Sequence, residues 1–359
     1  MEKKPSNNIL DVSLFKRLMV FVKPYRKTFA FVLLAAVFLS GFSTLSPYLL
    51  KITIDDYITV KDYEGMLVLI ALMGATLIME VIFQFMFIYY ANWLGQHVIF
   101  DLRNTLYTHM LQFKMTYYDN SAVGRLVTRV VSDIETISGI FSQGLFMIIS
   151  DLLKMVVVIV VMWSVSWKLA LIVFAVLPLI LYATRKFQKA MKVAFDEVRT
   201  QVANLNSFVQ ERISGMSIVQ LFAREQTESK AFREINDKHR KAWLKTVWYN
   251  SIFFPIAELS TSVTIGLLVW FGGLNVIAGS SGITLGIIFL FIQLSQMLFR
   301  PLRQIADKFN TLQMGMVAVR RVVAVLDTDE TIPNHGKIKN TEIKGELRFE
   351  ELHFSYKKD

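Results

Sequence analysis

Residues 169–222 read LALIVFAVLPLILYATRKFQKAMKVAFDEVRTQVANLNSFVQERISGMSIVQLF. The stretch from Leu169 to Thr184 carries no charge, and a basic cluster (Arg185, Lys186, Lys189, Lys192) follows with no glycine or proline between. Further on, Leu205, Phe208, Val209, Ile213, Met216, Val219 and Phe222 recur at threes and fours, the spacing of one apolar helix face. A helix that crosses a membrane and runs on into water as an amphipathic rod has this pattern.

Five other stretches resemble the first half of it. A helix rising about 1.5 Å per residue needs about 20 apolar residues to cross roughly 30 Å of hydrocarbon. Phe29 to Leu50, Met66 to Asn92, Gly144 to Val165, Val247 to Phe271 and Ile283 to Phe299 also qualify, so six spans are expected. The first is too long for a signal-peptide core and lacks a small-residue cleavage pattern, so it reads as an uncleaved span. Thirty-five of the 39 Lys and Arg fall on one side of the spans, in residues 1–28, 93–137, 185–246 and 300–359. By the positive-inside rule both termini are cytoplasmic, in a multi-pass protein of the cell (inner or plasma) membrane. The external loops are short, whereas the internal ones run to about 45 and 62 residues, beyond the about 12–15 that a structureless connection spans. If the longer one forms two antiparallel helical extensions, each reaches roughly 40 Å into the cytoplasm.

Composition excludes several chemistries. Hydrophobic residues make up 53% of the 359, above the roughly 45–50% of soluble domains. The absence of cysteine removes disulfides, thiolate nucleophiles and cysteine metal ligation. No two of His97, His109, His239, His335 and His353 stand at i, i+4, so no metal site is expected. The net charge of +10 follows from topology, and nucleic-acid binding is not expected. No catalytic residue stands out. Near the start, Val12, Leu14, Phe15, Leu18, Met19 and Val22 share one side of a short helix after Asp11, a candidate N-cap. This helix is expected on the inner membrane interface, turning at Lys23-Pro24-Tyr25-Arg26 into the first span; a plain cytoplasmic arm is the other reading.

Three blocks in order resemble the membrane half of an ATP-binding-cassette (ABC) exporter. The first internal loop holds Asp101-Leu102-Arg103, Tyr107, His109, Tyr117-Tyr118-Asp119, Gly124-Arg125-Leu126, Arg129 and Asp133; the second holds Glu211-Arg212-Ile213-Ser214-Gly215. The third comprises Gly282-Ile283-Thr284-Leu285-Gly286, Gln293, Pro301-Leu302 and Arg320-Arg321. The resemblance implies an all-α membrane fold: six transmembrane helices with long cytoplasmic extensions, tipped by coupling helices that dock on nucleotide-binding domains. Residues 116–123 match the first coupling helix, and Glu211, Ser214 and Gly215 the second coupling region. Without it, Arg125, Arg129 and Asp133 at i, i+4, i+8 read equally as an exposed ion-paired face.

Residues 345–356 alternate apolar and polar like a strand. By resemblance this is the first strand of a truncated nucleotide-binding domain, with Tyr356 at the position of the aromatic that stacks on adenine. The expected organisation is an N-terminal arm with an interfacial helix over 1–28, the six-span domain over 29–326, a linker over 327–344 and the start of the nucleotide-binding domain over 345–359. No G-x-x-x-x-G-K-[ST] phosphate loop (Walker A) occurs in the 359 residues, nor a Walker B strand, so they are not expected to hydrolyse ATP alone. ATP and Mg2+ would be bound by the remainder of that domain.

Charges inside the spans need partners or a wet cavity. Asp151 and Lys154, at i, i+3, suggest an ion pair. Glu80 with Gln84, and Glu258 with Asn250, either line a translocation pathway or make structural hydrogen bonds. The resemblance implies a subunit of an ATP-driven exporter, working as a homodimer or heterodimer with a second half-transporter amid membrane lipid. It would move an amphipathic lipid or drug-like substrate by alternating access. The rival readings are a secondary transporter or channel, and a non-transporting scaffold that docks a cytoplasmic ATPase.

Overall fold

The computed structural model describes residues 12–278, 282–332, 345 and 348–354. They form eleven α-helices, with no sheet among the described residues. Helix α1 (Val12–Val22) turns through Lys23–Tyr25 into α2 (Arg26–Ile52), which runs on as a wide π turn (Thr53–Ile58). Helix α3 (Tyr63–Met110) returns antiparallel to α2; α4 (Met115–Asp119) then makes a sharp reversal. Helices α5 (Val123–Thr128), α6 (Ile134–Gly139) and α7 (Phe146–Val165) form one rod, joined by π turns at Arg129–Asp133 and Ile140–Leu145. The α8 (Trp167–Ser214), α9 (Met216–Leu221) and α10 (Glu225–Ile277) segments make a long hairpin, and α11 (Leu285–Leu326) closes the set. Six segments are long and apolar enough to cross a membrane: Ser13–Ile58, Tyr63–Met110, Val123–Val165, Trp167–Ser214, Glu225–Ile277 and Leu285–Leu302.

Each expected span coincides with one of these, the sixth starting two residues later than expected, at Leu285, and most helices run far beyond the span. Helix α8 extends thirty residues past Thr184, roughly 45 Å. Pro47, Pro178, Pro255 and Pro301 sit inside helices that continue through them. The expected coupling helix over 116–123 is split, because Asn120 ends α4 with its side-chain amide on the Thr116 carbonyl at 2.8 Å. Over 348–354, where a strand was expected, the described residues adopt no strand, with Phe349, Leu352 and Phe354 exposed. Tyr356 and Asp11 lie outside the described residues.

Two apolar clusters hold the helices. The first joins α1, α2, α3, α6 and the far end of α11 through residues such as Leu18, Ala35, Leu94, Ile137 and Val322. The side of α1 that carries Leu18 and Val22 is therefore covered by protein. Gly315 brings α11 so close to Ile140 that a Cβ would stand 2.2 Å from Ile140 Cγ1. The second cluster gathers Val158 and Met162, Leu169 and Val173, Leu268, and Phe291 and Leu294 from α7, α8, α10 and α11. These α8 and α10 residues all belong to the short-loop halves. Beyond them the hairpin packs mainly on itself, as in the stack of Phe187 on Phe253 at 3.9 Å.

The intramembrane charges pair across helices. The Asp151 carboxylate on α7 is bonded by the Lys308 ammonium of α11, which replaces the pair with Lys154 expected from i, i+3 spacing. Helical spacing permitted that pair, but two facing helices bring the Lys308 ammonium into direct contact. Half-buried Lys154 feels the carboxylates of Glu80 on α3 and Asp151, opposed by Arg300. Removing one partner of a buried pair costs roughly 3–5 kcal/mol, because the other charge stays behind. Lys308→Met should therefore lower the thermal midpoint of the micelle-solubilised protein, and adding Asp151→Asn should recover most of the loss; additive losses would contradict the pairing.

Candidate docking tips

Helix α3 and the α5–α7 rod are joined by a short tip. Its floor is Phe113, 3% exposed, against which Tyr117 packs edge-on with ring centres 4.6 Å apart. The Tyr118 hydroxyl donates to the Met110 carbonyl at 2.6 Å, and burial pushes this phenol above its ordinary range. Both tyrosines are half-buried, so they anchor α4 to the end of α3. The tip presents Met115 and Val123, about 70% exposed, with Asp119, Gly124 and Arg125 also in the open.

Arg129 and Asp133 turn inward. The Asp133 side chain is 7% exposed and takes both Arg129, one turn earlier, and Arg321 of α11, whose Nη1 donates at 3.3 Å. Of Arg125, Arg129 and Asp133, only Arg125 is on the outer face, so the three do not form one exposed ion-paired face. The other two clasp α11 to the rod. Sequence spacing showed the Arg129–Asp133 step but not Arg321, which lies 188 residues away from Asp133.

A second tip caps the α8–α10 hairpin. Gly215 ends α8, its N–H bonding the Glu211 carbonyl at 3.0 Å. Arg212 donates to Glu228 at 2.6 Å and to Glu211 at 2.8 Å, and its guanidinium lies 5.1 Å from the Phe208 ring centre. These two carboxylates raise the Arg212 pKa, through the Glu228 hydrogen bond first. Ser214 is exposed, and the last turn of α8, α9 and its C-cap leave Ile213, Ile218, Leu221 and Phe222 in the open, each 60–79% exposed. Such a concentration of apolar surface on a short polar-flanked turn marks a contact site.

The sequence reading missed a strap at the first tip. Residues 327–332, part of the expected linker, pair with 112–114: Lys114 N–H bonds the Glu330 carbonyl at 2.8 Å and Ile332 N–H the Gln112 carbonyl at 2.7 Å. Asp327 also takes both guanidinium nitrogens of Arg17 on α1, at 2.5 and 2.6 Å, which holds its carboxyl below the usual range. A ladder of two bonds between segments over 200 residues apart leaves no periodic signal.

The four candidate pathway residues are not brought together within one chain. Glu80 is half-buried beside the Lys154 charge, Gln84 is exposed on α3, and Asn250 and Glu258 lie on an exposed face of α10. Helices α3 and α10 share no packed seam.

The anchoring of α4 has a direct consequence. Tyr118→Phe removes the hydroxyl that ties α4 to the Met110 carbonyl, which keeps the Phe113 N–H at 3.0 Å, at a cost of about 0.5–1.5 kcal/mol. Trypsin should then cut at Lys114 several-fold faster, with helix content unchanged; equal cleavage would contradict the anchoring role.

A model of the ABC transporter transmembrane region matches residues 29–302. Curated relatives align over nearly the whole chain. The "Uncharacterized ABC transporter ATP-binding protein YknV" of Bacillus subtilis is 28% identical over 95% of this chain and 56% of its own length. An ATP-dependent lipid A-core flippase of Syntrophus aciditrophicus is 26% identical over 98% of this chain and 58% of its own. The "Putative multidrug export ATP-binding/permease protein YgaD" of Bacillus subtilis is 27% identical over 97% and 61%. This chain thus spans somewhat under two thirds of the length of these relatives. With six membrane-capable helices and the family match over most of its length, the chain is a multi-pass membrane protein that belongs to the ABC transporter transmembrane family.

Proposed function

We infer that this chain is the transmembrane subunit of an ATP-driven exporter, moving an amphipathic lipid or drug-like substrate out of the cytoplasm or inner leaflet by alternating access. The observation that carries this reading is the second tip: exposed Ile213, Ile218, Leu221 and Phe222 at the end of paired helices that continue unbroken into the bundle. A push on such a rod moves its membrane half. The names of the flippase and multidrug-export relatives support the substrate class, and the many Phe and Met residues supply adaptable apolar surface.

The tips face the cytoplasm of the cell membrane, with both termini on that side, in keeping with the Lys and Arg distribution. The 359 residues offer no glycine-rich phosphate cradle, so nucleotide chemistry is not theirs. ATP and Mg2+ belong to a nucleotide-binding domain, which residues 327–344 connect and residues 345–359 begin, with Tyr356 stacking on adenine. Tyr117, Tyr118, Asp119, Gly124 and Arg125 form the first docking tip; Glu211, Ser214 and Gly215 shape the second. Arg129 and Asp133 act behind the first tip, passing its movement to α11 through Arg321.

A second half-transporter, identical or related, completes the pathway. Its α8–α10 hairpin covers the face of α3 lined by Phe85, Ile88, Tyr89, Asn92, Trp93 and Gln96, a hollow of about 500 Å³. In that dimer Glu80 and Gln84 of one copy and Asn250 and Glu258 of the other line the path. ATP binding shifts the population toward the outward-open form through its higher affinity for the closed pair of ATPase domains.

The experiment uses inside-out vesicles holding the protein expressed from its own gene, with a fluorescent phospholipid and a lipophilic dye as probes. ATP should drive uptake of at least one probe. Ile218→Asp with Leu221→Asp should cut that uptake at least tenfold with insertion and dimer content unchanged. Uptake driven by a proton or sodium gradient without ATP would contradict the reading.

A further inference from the structure

Where the strap leaves α11, helices α1, α3, α6 and α11 enclose a cavity of about 370 Å³. Leu18 of α1, Leu102 of α3, Ile137 of α6 and Val322 of α11 line it, each at most 3% exposed, so its interior is apolar. Arg17 and His109 also line it, and both hold the start of the strap. The Arg17 guanidinium donates to both carboxylate oxygens of Asp327, and His109 Nε2 bonds the Thr328 carbonyl at 3.2 Å. Asp327 and Thr328 are neighbours in the chain, so the two basic side chains stand at one edge of the cavity. With the Arg17 side chain 51% exposed, that edge is its mouth.

An apolar hollow with a few polar groups at one end has the form of a small-molecule site. Its interior offers water few partners, which makes a hydrocarbon chain the fitting content; at about 30 Å³ per water-sized group there is room for about twelve carbons. The charge at the mouth selects the head. Residues 12–25, 102–110 and 315–326, which supply three of the walls, carry six Lys and Arg and no Asp or Glu. On the α6 side, Asp133 and Glu135 are taken by Arg321 and Arg103. Arg17 itself shows which anion it accepts, since a carboxylate already occupies both of its nitrogens. A carboxylate on a free chain can fill the same fork.

We propose that this cavity is a fatty-acid site, with the chain between α1, α3 and α11 and the carboxylate on Arg17. Asp327 is then the competitor built into the chain. Without ligand it holds Arg17 and fastens the strap to α1; with ligand it is displaced, and that fastening is lost. None of the four candidate pathway residues lines the cavity, so the site is separate from the route assigned to transport.

The test uses the full-length protein in nanodiscs of neutral phosphatidylcholine, without nucleotide. The probe is dodecanoic acid carrying a diazirine near its methyl end. Illumination should label residues 102–110 and 315–326 saturably, and unlabelled dodecanoate should compete. The same chain ending in an alcohol should label at least fivefold less. Arg17→Gln should cut the labelling at least fivefold, whereas Asp327→Asn should raise it several-fold by freeing the guanidinium. Both variants break one ion pair at half-exposed positions, so a merely structural role would move them in the same direction, and that result would overturn the proposal. An alcohol that labels as well as the acid would remove the carboxylate from Arg17. Labelling that does not saturate, or that falls only on the membrane spans, would show partition into the bilayer and no site. Because no ATP is used, failure here leaves the exporter reading standing, and absence of transport leaves this site untouched.

Discussion

In hydrocarbon a backbone must satisfy every N–H and C=O within its own segment, and an α-helix does so without help from neighbours. This chain carries that solution far past the membrane. Helices α3, α8, α10 and α11 run 42 to 53 residues, about twice what a bilayer needs. One hydrogen-bond ladder thus serves both as membrane anchor and as rod, and displacement at one end is carried to the other. The exposed apolar turns at the far ends are the terminals of these rods.

Beside ion pairs within single helices, such as Asp237 with Arg240 and Lys241, a few charges tie separate elements together. Asp133 holds α11 to the α5–α7 rod through two guanidiniums, Asp151 does the same deeper in the bundle through Lys308, and Asp327 ties α1 to the end of α11. Two of these tie α11 to the α5–α7 rod at different depths and one ties its end to α1, and Asp55 adds a fourth tie at its start. Helix α11 is the common member of the bundle. A bundle of otherwise apolar seams slides easily; polar ties at chosen depths limit the sliding to a few registers.

The six spans and the rods were legible in the sequence, because apolar runs and helical periodicity are local signals, although the periodicity read on across Gly215, where α8 ends. The exporter blocks placed the tips. Contacts made across helices were not legible: Lys308 was read only as one of the basic residues near the end of the chain, and Arg321 as part of a motif, though each completes an ion pair more than 150 residues away. The i, i+3 spacing of Asp151 and Lys154 suggested a partner that packing supplied from elsewhere. The strap at 327–332 left no trace because it pairs through backbone atoms, which every residue carries. The inward turn of Arg129 and Asp133 depends on a π turn, whose wider winding helical periodicity does not anticipate.

The central claim is that the rods carry ATP-driven closure from the tips to the bundle. Spin labels on Leu221→Cys in the two copies of the full-length dimer report the separation of the second tips directly. The account predicts that ATP with vanadate shortens that distance by on the order of one helix diameter, about 10 Å, relative to the nucleotide-free state. An unchanged distance in protein that retains trapped nucleotide would contradict it.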